Sequence, residues 1–162
     1  MLSAELPLAD AEATEHLAAA LADALPEAPV VLALSGDLGA GKSTLARALL
    51  RRLGVSGAIR SPTYTLVERY ASALGECLHL DLYRIADPDE LDFLGLDELQ
   101  AAARLWLIEW PERGADRLPG VDLRLRLDHA GVGRRARLEA ASPLGEAWLQ
   151  RMLESGRATG FS

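Results

Sequence analysis

The chain contains the stretch Gly36-Asp37-Leu38-Gly39-Ala40-Gly41-Lys42-Ser43-Thr44, which fits the pattern G-x-x-x-x-G-K-[ST]. Residues 30–35 before it form an almost unbroken apolar run of strand length, which is typical of a parallel strand covered on both faces. After it, leucines recur every fourth residue from 45 to 53, and Gly54 supplies a common helix stop. The stretch therefore lies between a predicted strand and a predicted helix, as a phosphate-binding loop requires.

The residue types in this loop suit the binding of phosphate groups. Glycines let successive backbone N–H groups turn towards an anion, and the N-terminus of the next helix presents the positive end of its dipole there. In such loops the lysine, here Lys42, reaches the terminal phosphates, and the following hydroxyl, here Ser43, binds magnesium. A glycine-rich turn before an ordinary helix is the alternative, but the full motif in this context favours a nucleoside triphosphate site.

The use of basic residues supports the same interpretation. Of the 17 basic residues only one is a lysine, and it is Lys42. Arginine replaces lysine everywhere else, whereas a compact ammonium is kept at the one place where a planar guanidinium would fit a phosphate cradle poorly. A single lysine could also stand anywhere by chance, so this observation supports the loop without proving its role.

At 162 residues the chain has the length of one domain. We predict a single domain over residues 1–154 and a frayed tail over residues 155–162. The single cysteine, Cys77, cannot form an internal disulfide, which fits a reducing compartment. The first residues lack a basic region followed by a long apolar run, and no segment approaches the roughly 18 apolar residues of a membrane span. The sequence therefore predicts a cytoplasmic protein without a membrane partner.

The charge of the chain limits the classes of partner. A net charge of -7 argues against attraction of the whole surface to nucleic acid, although it does not exclude a local basic patch. The sequence contains no internal repeat and no low-complexity linker. We therefore expect no DNA partner, and we expect any role with RNA to be indirect.

The remaining pattern predicts an α/β fold of the P-loop class. Alternating or unbroken apolar runs predict strands around 6–8 and at 30–35, 64–70, 77–84, 104–109, 122–128 and 135–140. Helices are predicted at 10–25, at 42–53, from Asp87 to the alanines at 101–103 with a break at Gly95, and around Leu144, Trp148 and Met152. The last two strands alternate in polarity around a glycine turn, which indicates an antiparallel hairpin. The expected sheet is mostly parallel, flanked by helices, with an antiparallel C-terminal extension.

Two predicted strands end in a carboxylate. Asp81 lies near the end of one strand, and Glu109 follows the apolar run of another. Ligands in open α/β sheets collect beyond the carboxyl ends of the strands, where an acid can hold magnesium or orient an attacking water. A solvated strand-end carboxylate is the alternative for Asp81. His79, two residues earlier, is more often a hydrogen-bonded structural residue than a ligand.

Two further residues have an open interpretation. Thr63 lies on the connection after the loop helix, where a threonine can sense the terminal phosphate through magnesium, but it can equally be a turn hydroxyl beside a proline. Trp110 directly follows Glu109 and is either packed at the sheet end or an exposed contact near a nucleotide. The acidic residues between 87 and 98 are best explained as a solvated face, and a partner surface is the minority interpretation.

Four blocks of the chain resemble one protein family. They are Gly-Asp-Leu-Gly-Ala-Gly-Lys-Ser at 36–43, Ser-Pro-Thr-Tyr-Thr-Leu-Val-Glu at 61–68, His-Leu-Asp-Leu-Tyr-Arg at 79–84 and Leu-Ile-Glu-Trp-Pro-Glu at 107–112. The phosphate loop alone is generic, whereas the four blocks in this order resemble the TsaE family, the bacterial ATPase component of tRNA threonylcarbamoyladenosine synthesis. The resemblance extends from Leu8 to about Ala140.

The resemblance implies an ATPase that is slow alone and works with TsaD and TsaB, downstream of TsaC. Together these proteins place threonylcarbamoyl on the adenosine beside the anticodon, and the transfer itself belongs to TsaD. The implied cofactors are ATP and Mg²⁺. One departure from the family is Ser43, where threonine is more common, and both residues provide the hydroxyl that magnesium needs.

The resemblance also implies roles for individual residues. Ser43 and Glu109 would hold magnesium, Lys42, Asp81, Thr63 and Glu109 would act in hydrolysis, and Trp110 would matter for activity. Arg134 is similar to a family arginine near the nucleotide, although Arg135 is adjacent and either could take that role. The residues implied to bind ATP are Asp37, Leu38, Gly39, Ala40, Gly41, Lys42, Ser43, Thr44, Trp110 and Arg134.

Two other function classes compete with an ATPase. A small-molecule kinase of the P-loop class is disfavoured because no Arg-rich lid segment precedes the last acidic strand. A nucleotide-binding switch that reads guanine commonly uses an Asn-Lys-x-Asp segment, which this chain cannot contain because Lys42 is its only lysine. The sequence therefore favours ATP over GTP.

Overall fold

The computed structural model describes residues 1–60 and 66–155. Its strands are β1 (Ser3–Leu8), β2 (Val30–Ser35), β3 (Val67–Ser72), β4 (Gly75–Asp81), β5 (Ala103–Glu109), β6 (Leu123–Ala130) and β7 (Gly133–Ala140). Its α-helices are α1 (Ala11–Asp23), α2 (Lys42–Arg52), α3 (Leu96–Ala102) and α4 (Pro143–Glu154), and 3₁₀ segments cover Pro88–Leu94, Pro111–Arg113 and Ala115–Arg117. None of the described helices is long and apolar enough to cross a membrane.

The described strands form one sheet in the order β1-β7-β6-β2-β5-β4-β3. β4, β5, β2 and β6 run parallel to one another, and they form its centre. β7 and β1 extend one edge in antiparallel pairing, and β3 pairs antiparallel with β4 at the other edge. The predicted class, a mostly parallel sheet with an antiparallel C-terminal extension, is confirmed.

The sheet separates two apolar cores because successive strand residues point to opposite faces. Along β5, Leu105 and Leu107 pack with α1, α2 and α4, whereas Trp106 and Ile108 pack against the segments that follow β4 and β5. Burial on both faces explains why β2 and β5 read as unbroken apolar runs. The sheet centre is therefore held from both sides, which fixes the positions of the loops at its carboxyl edge.

Three elements of the structure differ from the elements predicted from the sequence. The predicted strand at 77–84 ends at Asp81, because the Asp81 carboxylate accepts a bond from the Tyr83 N–H and turns the chain. The capping box at Asp87 and the break at Gly95, whose φ is 65°, are confirmed, but the segment between them is a 3₁₀ helix instead of an α-helix. The alanines at 101–103 do not all remain helical, since Ala103 begins β5.

The predicted strand at 64–70 is only partly described. Its described part, β3, begins at Val67 and continues to Ser72, two residues beyond the predicted end. Thr63 and the other residues from 61 to 65 lie outside the described residues, so the interpretation of Thr63 stays a prediction. The single-domain boundary at 154 and the frayed tail also stay predictions, since residues 156–162 lie outside the described residues.

Candidate functional site

The predicted phosphate-binding loop lies between the end of β2 and the start of α2. Three of its residues are glycines with positive φ, namely Gly36 at 137°, Gly39 at 81° and Gly41 at 107°. A Cβ atom on Gly36 would overlap the backbone carbonyl of Leu127, so the loop needs glycine there for space as well as for its backbone angle. Gly41 precedes α2 and has no side chain that could cap the helix. No capping side chain therefore bonds to the first N–H groups of α2.

The parallel strands bring the two predicted carboxylates to this loop. Asp81 and Glu109 are register partners at the ends of β4 and β5, and β5 pairs directly with β2. Both side chains line a cavity of about 470 Å³ together with the loop. The predicted site residues on its wall are Leu38, Gly39, Gly41, Lys42, Ser43, Thr44, Asp81, Glu109 and Trp110.

Lys42 is a buried cation at the floor of this cavity, with 6% of its surface exposed. Its Nζ donates to the backbone carbonyl of Gly36 and makes a longer contact of 3.4 Å with that of Asp37. It also lies 4.2 Å from the centroid of the Trp110 ring, within the range of a cation–π contact. Burial lowers the pKa of the Lys42 ammonium, and the nearby carboxylates of Glu109 and Asp81 partly offset this effect.

Asp81 is half-buried and lines the cavity, so it is not simply a solvated strand end. Burial raises the pKa of its carboxyl. The hydrogen bond from the Tyr83 N–H opposes this rise, and the like charge of Glu109 adds to it. The carboxylate is therefore held in an environment that disfavours its charge and favours a bound cation or donor.

Glu109 is buried more deeply, with only 2% of its surface exposed. Its Oε2 lies 2.7 Å from Nε2 of His79, which is itself 3% exposed. His79 was predicted to be a hydrogen-bonded structural residue, but nothing in the sequence pattern identified Glu109 as its partner. The periodicity of the strand could have placed both side chains on the same face, but not in contact.

Trp110 closes one wall of the cavity in an unusual conformation. Its φ is 56°, a left-handed value that costs a bulky residue about 1–3 kcal/mol. The ring contacts Lys42 on the cavity side, lies 5.0 Å from the ring of Tyr83, and is 5.6 Å from the guanidinium carbon of Arg113. The half-buried ring packs against the apolar core at the end of the sheet and also lines the cavity, so packing at the sheet end is confirmed, whereas a contact with a nucleotide stays a prediction. Tyr83 and Arg84 also line the cavity and were not predicted.

A second cavity of about 210 Å³ adjoins the loop from the side of α1. Gly39, Gly41 and Thr44 line both cavities. Further lining comes from the predicted residues Ala40 and Arg134 and from residues that the sequence did not single out, among them Leu8, Asp10, Thr14 and Val132. Their contribution could not be read from sequence, because β1, α1 and the β6–β7 turn are distant in the chain from residues 36–44.

Arg134 is the hairpin arginine that contacts the loop. Its guanidinium donates to the carbonyls of Ala40 at 3.2 Å and Gly39 at 3.3 Å. The adjacent Arg135 is exposed on β7 and does not line either cavity. Asp37 lines neither cavity and contributes its backbone carbonyl, which accepts from the Ala40 N–H.

The described residues include no cluster of three or more His, Cys, Asp or Glu side chains that could hold a metal ion. Ser43 is exposed and lines the larger cavity with Glu109. A hydroxyl and one carboxylate suit a magnesium ion that keeps its waters and is shared with phosphate oxygens, rather than one in an all-protein cage. The residues present therefore fit magnesium only as part of a nucleotide complex.

Comparison with known proteins gives consistent matches. The sequence profile of the family described as "Threonylcarbamoyl adenosine biosynthesis protein TsaE" matches residues 8–137. The tRNA threonylcarbamoyladenosine biosynthesis protein TsaE of Haemophilus influenzae is 43% identical over 120 residues, 74% of this chain and 76% of that protein. The Streptomyces coelicolor protein of the same name is 41% identical over 122 residues, 71% of this chain and 80% of that protein. The crystal structure of Bacillus subtilis YdiB superposes with a TM-score of 0.79 at 26% identity, covering 93% of this chain and 94% of that one.

We predict that Asp81→Asn stabilises the folded protein at neutral pH. Since burial raises the pKa of Asp81 above its usual 3.8, ionisation of this carboxyl costs the folded state stability. The cost grows as the pH rises from the unfolded pKa and is complete above the folded pKa. Asparagine can still accept from the Tyr83 N–H, so urea unfolding should give a higher free energy for the variant near neutral pH. The gain should shrink as the pH falls towards 3.8 and should be absent below it.

Asp116→Asn is the matched control, because the Asp116 side chain is 85% exposed and its ion pair among the described residues is with the neighbouring Arg117. An exposed pair of this kind contributes about 0–1 kcal/mol. The two variants should therefore differ near neutral pH. An Asp81→Asn protein no more stable than the control at that pH would contradict a charge-disfavouring environment at Asp81.

Proposed function

The chain belongs to the TsaE family of threonylcarbamoyladenosine biosynthesis proteins, and from this premise we propose that it is the component that binds and hydrolyses ATP. The single observation that carries the proposal is the composition of the larger cavity. There the buried ammonium of Lys42 lies between a glycine loop and two carboxylates, Asp81 and Glu109. This combination suits a polyphosphate with its cation better than an uncharged ligand.

The loop and Lys42 bind the phosphates in this proposal. Backbone N–H groups of the loop at the start of α2 would face the anion, apart from that of Ala40, which donates to the Asp37 carbonyl, and the helix dipole is also favourable there. Lys42 exchanges its bond to the Gly36 carbonyl for the terminal phosphates, and in doing so it compensates charge that develops during hydrolysis. The lowered pKa of Lys42 is consistent with a group that gains stabilisation when an anion arrives.

Ser43 and Glu109 would hold the magnesium ion that accompanies the nucleotide. When bound, magnesium neutralises phosphate charge and orients the β- and γ-phosphates. Asp81 accepts a hydrogen bond from the attacking water and so holds it in line with the terminal phosphate. Thr63, which lies outside the described residues, would assist on the side of the terminal phosphate.

The smaller cavity would take the nucleoside part of ATP. It shares Gly39, Gly41 and Thr44 with the larger one, so a single ligand can extend from one to the other across the loop. Arg134 already bonds to two loop carbonyls and holds the β6–β7 turn beside this cavity. ATP is proposed over GTP because the chain lacks the lysine that the common guanine-reading segment needs.

The proposed partners are TsaD and TsaB, with tRNA involved only through them, in the cytoplasm. The family supports a place in the pathway. In this proposal the threonylcarbamoyl transfer itself belongs to TsaD. We expect the isolated protein to hydrolyse ATP slowly, because the Lys42 ammonium is engaged by the Gly36 carbonyl and the Trp110 ring. A partner that favours the exchange of these contacts for phosphate would raise the rate.

We predict that Lys42→Ala abolishes most ATP binding and turnover. Loss of a charge that stabilises the transition state should lower turnover by about 10²–10³-fold. The variant should still fold, because burial disfavours the ammonium that it removes. Calorimetric titration with ATP and with GTP, and phosphate release with and without partners, measure the effect. Arg47→Ala is the control, since Arg47 is exposed on the same helix and lines neither of the two cavities.

Turnover by Lys42→Ala equal to that of Arg47→Ala, in samples free of contaminating ATPases, would refute the hydrolytic role. Release of a phosphorylated metabolite in place of inorganic phosphate would favour the kinase alternative. Tighter binding of GTP than of ATP would contradict the nucleotide assignment.

We further predict that this protein is needed for repeated rounds of tRNA modification. TsaB, TsaC and TsaD are mixed with tRNA, ATP and the precursors of the threonylcarbamoyl group, with or without this chain, and threonylcarbamoyladenosine is counted per TsaD. Wild-type protein should raise the yield above one modification per TsaD, and Lys42→Ala should not. Equal multiple-turnover yields in all three mixtures would contradict the proposed role in the pathway.

A further inference from the structure

His79 and Glu109 lie on the same face of the sheet. Their strands β4 and β5 are parallel neighbours, with His79 opposite Leu107 and Asp81 opposite Glu109. Since side chains alternate along a strand, His79 and Asp81 project to one side of β4, and His79 is a diagonal neighbour of Glu109. The imidazole therefore contacts Glu109 from the side of the strand starts, two residues before the cavity edge.

The contact between the two side chains has one defined donor. Nε2 of His79 lies 2.7 Å from Oε2 of Glu109. Nδ1 is buried and has no hydrogen-bond partner among the described residues. A buried N–H without an acceptor costs more free energy than a buried nitrogen lone pair without a donor. The geometry therefore assigns the ring proton to Nε2, and this N–H donates a hydrogen bond to Oε2 of Glu109.

This bond restricts the carboxylate of Glu109. Oε2 is occupied by the histidine, and the side chain cannot rotate without breaking a hydrogen bond between two buried groups. Oε1 is left as the oxygen that can bind a cation from the cavity, which Glu109 lines. The roles of the two carboxylate oxygens of Glu109 are therefore fixed before any ligand binds.

The position of His79 is unusual for a residue that only fills space. Its strand neighbours Cys77, Leu78 and Leu80 are buried and apolar, and a buried polar pair gives little net stability compared with apolar packing. The pair does, however, fix one geometry of a functional side chain, much as groups around a metal ligand commonly do. Cys77 lies on the same face of β4, two residues earlier, and has no comparable contact with the cavity.

We propose that His79 is a positioning residue, which holds Oε2 of Glu109 so that Oε1 is presented to the magnesium ion of the bound nucleotide. The inference rests on the proposed function, since it assumes that Glu109 meets magnesium–ATP. It concerns binding geometry, because His79 itself does not line the cavity.

The test compares the magnesium dependence of nucleotide binding in three variants of the full chain. His79→Gln keeps an N–H donor at the position of Nε2, whereas His79→Met fills a similar volume without a donor. Cys77→Ala is the control for loss of packing on the same face of β4. Calorimetry gives the Kd of a non-hydrolysable ATP analogue with magnesium and with excess chelator, and thermal unfolding reports stability separately.

Wild type, Cys77→Ala and His79→Gln should each bind the analogue more tightly when magnesium is present. His79→Met should lose about 10–100-fold of that gain while its affinity in chelator stays near that of wild type. A purely structural role would lower the unfolding temperature of the Met variant and leave its magnesium gain intact, which would overturn the proposal. If the Met variant does not fold, the Gln variant decides, because loss of its magnesium gain would overturn the role of the Nε2 donor.

The two proposals fail in different ways. Wild-type protein that binds the analogue with no gain from magnesium would refute the magnesium–ATP site, and the role of His79 with it. If magnesium raises the affinity for the analogue equally in wild type and in His79→Met, only the positioning role of His79 is refuted.

Discussion

The buried ammonium of Lys42 needs compensating negative charge, and the arrangement of the site follows from this requirement. The carbonyls of Gly36 and Asp37, the face of Trp110 and the carboxylates of Asp81 and Glu109 supply that charge. They come from separate parts of the chain, and the parallel pairing of β2, β5 and β4 brings them together. The apolar cores on the two faces of the sheet thus fix the positions of the charged groups at its carboxyl edge.

The site contains three energetically unfavourable features. Burial lowers the pKa of Lys42 and raises that of Asp81, so each charge is disfavoured before a ligand is bound. Trp110 adds a left-handed backbone that a bulky residue rarely adopts. Such costs persist only where the surrounding structure fixes the geometry, here the ladder between β2 and β5 on one side and the turn at 111–113 on the other. A bound polyphosphate with its cation would relieve the two charge costs.

The sequence predicted those parts of the site that lie within one local pattern. Residues 36–44 carry their own motif, and Asp81 and Glu109 end apolar runs, so their meeting at one sheet edge follows from parallel topology. The bond between His79 and Glu109 depends on the register of two strands about thirty residues apart, and no local pattern specifies that register. The helical segment that begins at Asp87 was predicted from its capping pattern, but its 3₁₀ form at Pro88–Leu94 was not. The smaller cavity was missed because segments distant in the chain build it.

The most direct test of a magnesium–ATP site at Lys42 is a crystal structure with magnesium and a non-hydrolysable ATP analogue. In that structure the phosphates should lie against residues 38–44, and Lys42 Nζ should have left the Gly36 carbonyl for a terminal phosphate oxygen. Glu109 should keep its bond to His79 and face the cation with its other oxygen. An analogue bound away from this loop, or phosphates in the cavity with Lys42 still on Gly36, would contradict a magnesium–ATP site at Lys42.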